Sequence, residues 1–421
     1  MTAPIDSAGA IVRRLVPSGP SAAIDLARGK LPPSLRPAAA LSVLDITKNF
    51  ADTSGGVRTY LLEKARYISA RPDLRQVMVL PGVNDAVTEA GGTRCYWLRS
   101  PGIPFQKPYR LLLAPGRFHR ILDHERPDLI EVGSPFVVPW LTRRANRRLA
   151  APMVWFYHGN VPRIIAPHAG VSAARRGLAG LSWRYVRKVS RIFQAVFAAS
   201  EFTAHDLETH GVERVIRVPL GVDLELFSPR RRESAAETRR REGWPDGPLA
   251  IHIGRLAREK ELEVVIEAWA EVERRTGATL VIVGTGPSEG YYRKLARGRR
   301  IIWRSFETDR ELLADLLAAA DLYVAPCPIE TFGLAALEAM ATGVPVLSVG
   351  QGGVAEKVAA AGAGALFPPG DVAAAAEQGI ALLHGDLPPL GRAGRRYAEA
   401  NHAWPIELDA IFAAYRRVLA R

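Results

Sequence analysis

The sequence contains very little cysteine. Only two cysteines, Cys95 and Cys327, occur among 421 residues, and they lie far apart in the chain. Neither belongs to a CxxC pair or to a cluster of cysteine and histidine. A disulfide framework or a structural zinc site needs such groups, so the sequence argues against both and favours a reducing compartment.

Long hydrophobic runs are also missing. No stretch reaches the roughly eighteen consecutive apolar residues that suggest a membrane-spanning helix. The first residues do not combine a charged segment, an apolar segment and a small-residue cleavage site, as a secretory leader does. We therefore expect a cytoplasmic protein, and peripheral attachment to the inner face of the cytoplasmic membrane stays open.

Acidic residues are too few to balance the basic ones. Lys and Arg number 56 against 43 Asp and Glu, which gives a formal net charge of +13. Such a charge attracts nucleic acid, anionic membranes or anionic substrates. The basic residues are spread over several helices, without interleaved aromatic side chains or a recognisable binding module, so we expect no nucleic-acid partner.

The length and the order of the elements indicate two α/β domains. A chain of 421 residues is too long for one ordinary core. Short apolar runs that favour strands alternate with helical runs, which predicts doubly wound parallel sheets. We divide the chain into five parts. They are a mobile N-terminal arm (1–40) with a short amphipathic helix near residue 11, a first domain (41–225), a charged linker (226–248), a second domain (249–400) and a C-terminal helix (401–421).

The most informative stretch is 321–358. It opens with a short apolar strand that two prolines terminate, and Glu330 follows on the loop. Glu338 then falls about two turns into a strongly helix-forming segment. The next strand leads into Gly352 and Gly353, which leave the backbone open to a ligand. Ligands of open α/β sheets bind outside the carboxyl ends of the strands, so this stretch predicts a site with two carboxylates.

This stretch resembles the paired-glutamate motif of the retaining glycosyltransferases with the GT-B fold, family 4. The sequence ETFGLAALEAMATGVPVL carries the Phe-Gly after the first glutamate, the Glu-Ala-Met around the second and the Gly-Val-Pro-Val that follows. The resemblance covers residues 41–421 and is most specific in the second domain, although Thr331 stands where many relatives have Gly or Ser. It implies two Rossmann-like domains that face each other across a cleft, the first for the acceptor and the second for the nucleotide sugar.

In the second domain, Arg255 and Lys260 bracket the turn into a helix, where two cations and the helix N-terminus can meet an anion. The resemblance implies that this pair holds the diphosphate of the donor. It also implies that Glu338 holds the ribose hydroxyls and that Glu330 holds the donor sugar. The further donor-binding residues that we infer in this domain are Gly254, Gly284, Gly286, Phe332, Gly333 and Leu334.

In the first domain, a strand, the pair Gly55 and Gly56, and a helix follow one another, an arrangement that suits phosphate or a sugar hydroxyl. The resemblance places this pair in the family's N-terminal glycine loop. His158 ends the strand VWFYH, and the resemblance places it over the anomeric region of the donor sugar. We expect His158, Arg255, Lys260 and Glu330 to be the catalytic residues.

The expected chemistry needs no metal. Glycosyl transfer requires stabilisation of the departing diphosphate as its charge grows. Enzymes of the other major glycosyltransferase fold use a metal bound by Asp-x-Asp, and this sequence contains no Asp-x-Asp. Arg255, Lys260 and helix N-termini could do the same task. We therefore expect no metal and no cofactor, and the resemblance implies that the configuration of the sugar is retained.

A basic face is predicted on the helix within residues 171–197, which carry six basic residues and no acidic one. Four of these residues share one side because they fall at i, i+3, i+4 and i+7. A cationic stripe near an anionic membrane contributes about 1 kcal/mol per basic residue. We interpret the stripe as a membrane or acceptor surface, with a solvated face as the alternative; its members are Arg184, Arg187, Lys188 and Arg191.

The substrates stay open at this stage. The donor candidates are GDP-mannose and UDP-hexoses, and the acceptor candidates are lipids and lipid-linked glycans of cell-envelope glycolipid or polysaccharide synthesis. A non-catalytic scaffold of the same fold that binds nucleotide sugars or carbohydrates is one alternative, and a nucleotide-sugar epimerase is another. The joint presence of His158, Arg255, Lys260, Glu330 and Glu338 favours a transferase.

Overall fold

Two β-sheets organise the chain, and each belongs to a separate part of the sequence. The computed structural model describes residues 11–16, 31–35, 40–51, 55–103, 109–165 and 172–421. Most of the N-terminal arm predicted for residues 1–40 lies outside these residues. The sheets contain eight and six strands in the described chain.

The first sheet is parallel except at one edge. Its strand order is β3-β4-β2-β1-β5-β6-β7-β8, and only β3 pairs antiparallel, with β4. All four residues of β6, with the sequence MVWF, are buried, because helices cover both faces of the sheet. The strands are β1 (Leu41–Ile46), β2 (Leu74–Gly82), β3 (Ala86–Ala90), β4 (Thr93–Arg99), β5 (Leu129–Val132), β6 (Met153–Phe156), β7 (Ala195–Ala198) and β8 (Val215–Arg217).

Seven helical segments accompany this sheet in the described residues. They are α1 (residues 11–15), α2 (Gly56–Ser69), α3 (Pro115–Glu125), α4 (Val137–Ala145), α5 (Val161–Ile165), α6 (Ser172–Ser190) and α7 (Glu201–Thr209). The short helix expected near residue 11 is present. Leu15 is fully buried, and its carbonyl accepts a hydrogen bond from Thr88 Oγ1 at 2.7 Å, so this part of the arm packs on the first domain.

The charged stretch between the sheets is helical. It contains a 3₁₀ turn (Pro229–Ser234) and helix α8 (Ala235–Glu242). Arg231 pairs with Asp315 at 2.7 Å, and Arg239 pairs with Asp321 at 2.9 Å. These ion pairs attach the segment that the sequence predicts as a linker to the second domain.

The second sheet is parallel throughout, with the order β11-β10-β9-β12-β13-β14. Its strands are β9 (Leu249–Ile253), β10 (Thr279–Val283), β11 (Ile301–Arg304), β12 (Leu322–Ala325), β13 (Val346–Val349) and β14 (Gly364–Phe367). The helices are α9 (Leu262–Thr276), α10 (Glu289–Leu295), α11 (Arg310–Ala318), α12 (Leu334–Ala341), α13 (Gly353–Ala361), α14 (Val372–His384) and α15 (Leu387–Asn401). The prediction of two doubly wound sheets is confirmed.

The last helix, α16 (Trp404–Leu419), contacts the first domain although it follows the second. Phe412 stacks on Tyr67 of α2 with ring centroids 5.3 Å apart. The hydroxyl group of Tyr415 accepts a hydrogen bond from Lys64 Nζ at 2.8 Å and donates one to Glu131 at 2.5 Å. The domain boundaries drawn from the sequence remain predictions.

The strand order also locates the binding crevices. In the first sheet the direction of winding reverses between β1 and β5, and in the second it reverses between β9 and β12. A crevice forms at such a switch point because the two flanking connections leave in opposite directions. Residues that follow these strands, such as Lys48, Gly133, Gly254 and Glu330, line one common cavity.

Candidate active site

A cavity of about 1040 Å³ lies between the two domains, and both contribute to its lining. It contains most of the residues singled out from the sequence. Those that line it are Gly55, Gly56, His158, Gly254, Arg255, Lys260, Glu330, Phe332, Gly333, Leu334 and Glu338. Among the groups of His, Cys, Asp and Glu in the described residues, none has an arrangement that could hold a metal ion.

Lys260 and Glu330 form an ion pair on the second-domain wall, with Nζ and Oε2 2.6 Å apart. They meet because their loops follow the neighbouring strands β9 and β12. Burial lowers the pKa of Lys260, but Glu330 and other nearby groups outweigh it, so the pKa is raised overall. Burial raises the pKa of Glu330, but Lys260, with a smaller contribution from Lys357, lowers it overall. Both side chains are therefore charged.

Arg255 lies in the turn after β9 and pairs with Glu259 of the same turn. With 41% of its side chain exposed, it can reach a ligand in the cavity. Its guanidinium group and the ammonium group of Lys260 give this end of the cavity two cations on one turn. Such a pair suits a diphosphate.

Gly284 and Gly286 are not among the described residues that line the cavity, whereas their neighbours Val283 and Pro287 are. A Cβ atom on Gly284 would lie 1.9 Å from the carbonyl oxygen of Gly254. One on Gly286 would lie 2.2 Å from the carbonyl oxygen of Leu256. The two glycines therefore let the loop after β10 pack on the turn after β9, and the donor contact expected of them stays a prediction.

Glu338 lies on α12 and is 3% exposed. Its Oε1 lies 2.8 Å from Nη2 of Arg310, the first residue of α11. Burial raises the pKa of Glu338, and Arg310 offsets only part of this effect. Arg310 also lies over the ring of Phe227, 4.8 Å from its centre. The pair presents a polar, hydrogen-bonding wall at one end of the cavity.

Residues 330–334, which we call the 330–334 loop, end the connection between β12 and α12 and form the floor of the cavity. Gly333 has φ +82, and a Cβ atom there would lie 2.1 Å from Val354 Cγ2, so only glycine fits. This turn places the first amide groups of α12 at the cavity, where they and the positive helix end favour an electronegative ligand.

His158 follows β6 on the first-domain side of the cavity. Its ring stacks on Phe156 with centroids 4.2 Å apart, and the ring of Tyr60 lies 5.7 Å away. Burial, with a smaller contribution from Lys64, lowers the pKa of His158 to about 3, so the imidazole is neutral. The backbone carbonyl of His158 accepts a hydrogen bond from Thr331 Oγ1 at 3.1 Å, which joins the two domains beside the site.

The first-domain wall is basic and apolar. Lys48 and Arg58 lie on it, and no carboxylate belongs to the described first-domain residues that line the cavity. Burial lowers the pKa of Lys48, whose Nζ lies 5.7 Å from the ring centre of Phe136. Phe136 itself has φ +71, a backbone conformation that bulky residues rarely adopt. This wall suits an anion beside an apolar group.

The basic face of α6 lies outside the cavity. Arg184, Lys188 and Arg191 are exposed, while Arg187 is half-buried and donates a hydrogen bond to the carbonyl of His210 at 3.1 Å. On the opposite side of the helix, apolar side chains pack in the first-domain core. The expected amphipathic helix is therefore present.

Sequence comparisons fit this geometry. Residues 54–226 match the model described as Glycosyltransferase Family 4, and residues 247–385 match the model described as Glycosyl transferases group 1. The GDP-mannose-dependent alpha-(1-6)-phosphatidylinositol dimannoside mannosyltransferase of Mycobacterium tuberculosis (strain ATCC 25177 / H37Ra) is 31% identical over 311 residues, which cover 73% of this chain and 79% of the relative. The chain belongs to glycosyltransferase family 4.

Other similarities agree with this family 4 assignment. A GDP-mannose-dependent alpha-mannosyltransferase of Mycobacterium tuberculosis (strain CDC 1551 / Oshkosh) is 29% identical over 344 residues, with 81% of this chain and 86% of the relative covered. Among solved structures, a sucrose-phosphate synthase from Thermosynechococcus elongatus superposes with a TM-score of 0.73 at 22% identity, over 90% of this chain and 99% of that one. The expected GT-B fold and the expected class of enzyme, a hexosyltransferase, are confirmed.

Sequence reasoning missed several polar residues of this family 4 site. Arg310 opens a helix far from Glu338 in sequence, and no local pattern links the two. Lys48 directly follows a strand and a threonine, so its place at a switch point was a usable signal. Lys357 shares an apolar helix face with Val354 and Val358, and a cation on such a face is also a detectable signal.

Proposed function

We propose that this family 4 enzyme transfers a hexosyl group from a nucleoside diphosphate sugar, GDP-mannose or a UDP-hexose, to a lipid or a lipid-linked glycan. The transfer retains the configuration of the sugar and proceeds without a metal. One observation carries the proposal: a single cavity brings together the Lys260–Glu330 pair, the Arg310–Glu338 pair and neutral His158. GDP-mannose is the preferred donor candidate because the names of both mycobacterial relatives specify it.

The donor lies along the second-domain wall in this proposal. The diphosphate group contacts Arg255 and Lys260, and these cations stabilise the negative charge that develops on it as the glycosidic bond breaks. Glu338 accepts hydrogen bonds from the ribose hydroxyls. Glu330, held ionised by Lys260, accepts hydrogen bonds from the sugar. His158 contributes a neutral ring over the reacting carbon, so it does not repel the positive charge of the oxocarbenium-like transition state.

The acceptor enters along the first-domain wall. Lys48 has no ion-pair partner among the described residues, and half-buried cations without a partner favour an anionic ligand. Apolar side chains of Ile164, Ile165 and Leu178 line the same side of the cavity. An acceptor with an anionic group next to an apolar one, such as a phospholipid headgroup, fits both features. The relative named as a phosphatidylinositol dimannoside mannosyltransferase acts on an acceptor of that kind.

The outer surface beside this wall supports peripheral membrane binding. We define the α4–α6 surface by its exposed apolar residues Phe136, Val137 and Leu181 and its exposed basic residues Arg143, Arg144, Arg147, Arg148, Arg184 and Lys188. Tyr185 Oη donates a hydrogen bond to the carbonyl of Phe136 at 2.9 Å, which joins the two helices. None of the described helices is long and apolar enough to span a bilayer.

A transfer assay tests the proposal. The purified protein is incubated with GDP-mannose or UDP-hexoses and with phospholipid or glycolipid acceptors, with and without EDTA. We expect one donor to be consumed with formation of a glycolipid, at an unchanged rate in EDTA. Glu330→Ala and Lys260→Ala should each lower kcat by at least about 100-fold, as the loss of a charge-stabilising group does.

The exposed residues Glu267 and Lys294 provide matched controls for these variants. Glu267→Ala and Lys294→Ala should keep the wild-type rate. Wild-type rates in Glu330→Ala and Lys260→Ala would refute the site assignment. Donor binding without turnover would identify a scaffold, and conversion of the donor without any acceptor would identify an epimerase.

A further inference from the structure

Lys357 is a buried cation that the proposed chemistry does not use. It lies on α13, whose first residue, Gly353, packs against the 330–334 loop. Lys357 is 3% exposed and shares its helix face with apolar residues. Burial of a lysine is expensive unless its ammonium group finds specific partners.

The partners of Lys357 are backbone groups beside the cavity. Its Nζ donates a hydrogen bond to the carbonyl oxygen of Phe332 at 2.7 Å and another to the carbonyl oxygen of Gly353 at 2.8 Å. The same nitrogen lies 3.6 Å from the ring centre of Phe332. Within the part of the chain that the structure describes, no carboxylate lies at ion-pair distance from it. The ammonium group is therefore committed to the loop rather than to an acid.

The bond to Phe332 fixes the direction of a neighbouring N–H group. The carbonyl of Phe332 and the N–H of Gly333 belong to one planar trans peptide, so they point in opposite directions. Fixing the carbonyl toward Lys357 fixes the N–H away from Lys357. Gly333 lines the cavity, and in the described residues its N–H donates to no backbone or side-chain acceptor. This leaves an oriented donor for a ligand.

Lys357 also acts on Glu330 through its charge. The positive charge contributes to the lowered pKa of Glu330, after the larger contribution of Lys260. Burial lowers the pKa of Lys357 itself to about 7, although the negative charges of Glu356, Glu330 and Glu407 offset part of this effect. The lysine therefore lies beneath both polar features of the 330–334 loop, the carboxylate and the oriented amide.

We propose that Lys357 is a positioning residue for the donor sugar, because it holds the peptide between Phe332 and Gly333 so that the Gly333 N–H faces the sugar. The inference rests on the proposed function, since it takes the 330–334 loop as the site of the sugar. Lys357 does not touch the substrate. Its effect is confined to the sugar end of the donor, away from the diphosphate cations.

The test compares binding of the nucleoside diphosphate alone with binding of the intact nucleotide sugar. In Lys357→Met, calorimetry should give a Kd for GDP within about two-fold of wild type, and a Kd for GDP-mannose at least about ten-fold weaker, equivalent to about 1.4 kcal/mol. The donor that the transfer assay identifies replaces GDP-mannose if it differs. The kcat for transfer should fall by about 100-fold, the range for loss of an oriented hydrogen-bond donor.

Two further variants separate positioning from folding. Lys357→Gln keeps one N–H donor for the Phe332 carbonyl without a charge, and should recover part of the sugar-dependent affinity. Exposed Lys294→Met controls for the loss of a lysine.

Several outcomes would overturn the proposal. Equal weakening of GDP and GDP-mannose would mean a general structural defect, as would unfolding of both Lys357→Met and Lys357→Gln. Unchanged sugar affinity and kcat in a folded Lys357→Met would show that the lysine has no part in the site. Failure of the wild-type enzyme to transfer sugar is a different result, because it refutes the proposed function before any Lys357 variant is compared.

Discussion

Lys48 and Lys260 illustrate how burial and partners decide what a lysine can do. Lys260 has Glu330 at 2.6 Å, so its charge is secured before a ligand arrives. Lys48 Nζ lies 5.7 Å from the ring centre of Phe136, has no ion-pair partner among the described residues, and burial lowers its pKa. An incoming anion would restore the lost solvation of Lys48 and favour its charged form. The two lysines therefore suit different ligands, a diphosphate and an acceptor anion.

At the residue scale we expect Lys48→Met to weaken binding of an anionic lipid acceptor. The KM for a phospholipid acceptor should rise by about ten-fold, since a hydrogen bond to a charged group is worth roughly 1.5–3 kcal/mol. The Kd for the donor should not change. Steady-state kinetics with anionic and uncharged glycolipid acceptors checks this, with Lys294→Met as control. An equal rise in KM for the anionic and the uncharged acceptor would show that Lys48 does not contact the anionic group.

At the scale of elements, α16 is tied to the first domain by a buried polar cluster. Lys64 Nζ lies 2.7 Å from Asp45 and 3.4 Å from Glu131, and Tyr415 from α16 joins it. Burial raises the pKa of Glu131 to about 7, because Lys64 compensates only part of the desolvation. The cluster lies beneath Tyr60, whose ring contacts His158. Docking of α16 therefore supports the wall of the cavity.

Two tyrosine hydroxyl groups join α2 and α16, and they allow a matched comparison. Tyr415→Phe removes a fully buried hydroxyl and should lower the free energy of unfolding by about 1–3 kcal/mol, since it leaves Lys64 and Glu131 short of a partner. Tyr67→Phe removes a hydroxyl that bonds to Asp409 at the surface and should cost less than about 1 kcal/mol. Chemical denaturation checks both. Equal losses of unfolding free energy in the two variants would mean that the buried hydroxyl stabilises the protein no more than the surface hydroxyl does.

At the scale of the whole molecule, hydrogen bonds join the two domains on one side of the cavity. Thr331 bonds to the carbonyl of His158, and Thr203 Oγ1 donates to the carbonyl of Thr331 at 3.3 Å. Glu356 of the second domain accepts hydrogen bonds from the amides of Glu201 and Phe202, the first residues of α7. A carboxylate stabilises a helix N-terminus, so these contacts help to hold the two domains together. We expect closure of the two domains to exclude water, which would compete with the acceptor.

The asymmetric charge of the molecule predicts binding to anionic membranes. Replacing Arg184, Arg187, Lys188 and Arg191 by Ser should strongly reduce sedimentation with anionic vesicles, because each basic residue near the surface contributes about 1 kcal/mol. Neutral vesicles should bind neither protein. A control that replaces Arg293, Lys294, Arg297 and Arg300 of the second domain removes the same number of charges. Unchanged sedimentation of the first variant, or an equal loss of sedimentation in the control, would refute membrane binding through the basic face of α6.

The sequence by itself determined what depends on short range. Hydrophobic patterns predicted the strands and helices, because helix and strand periods act over a few residues. The contiguous stretch ETFGLAALEAMATGVPVL, rather than the spacing of its two glutamates alone, carried the resemblance to the family. The segment 226–248 shows the limit of such patterns, since the contacts of its arginines with Asp315 and Asp321 join residues that are distant in the sequence.

Only the tertiary structure decided which distant residues meet. Lys64 and Tyr415 are 351 positions apart. Lys357 on α13 donates a hydrogen bond to the carbonyl of Phe332, which lies on the loop before α12. The packing of Gly284 and Gly286 was not predictable for the same reason, since the backbone of a distant turn occupies the space beside them. Such contacts follow from how sheets and helices stack, and no local period in a single sequence encodes that.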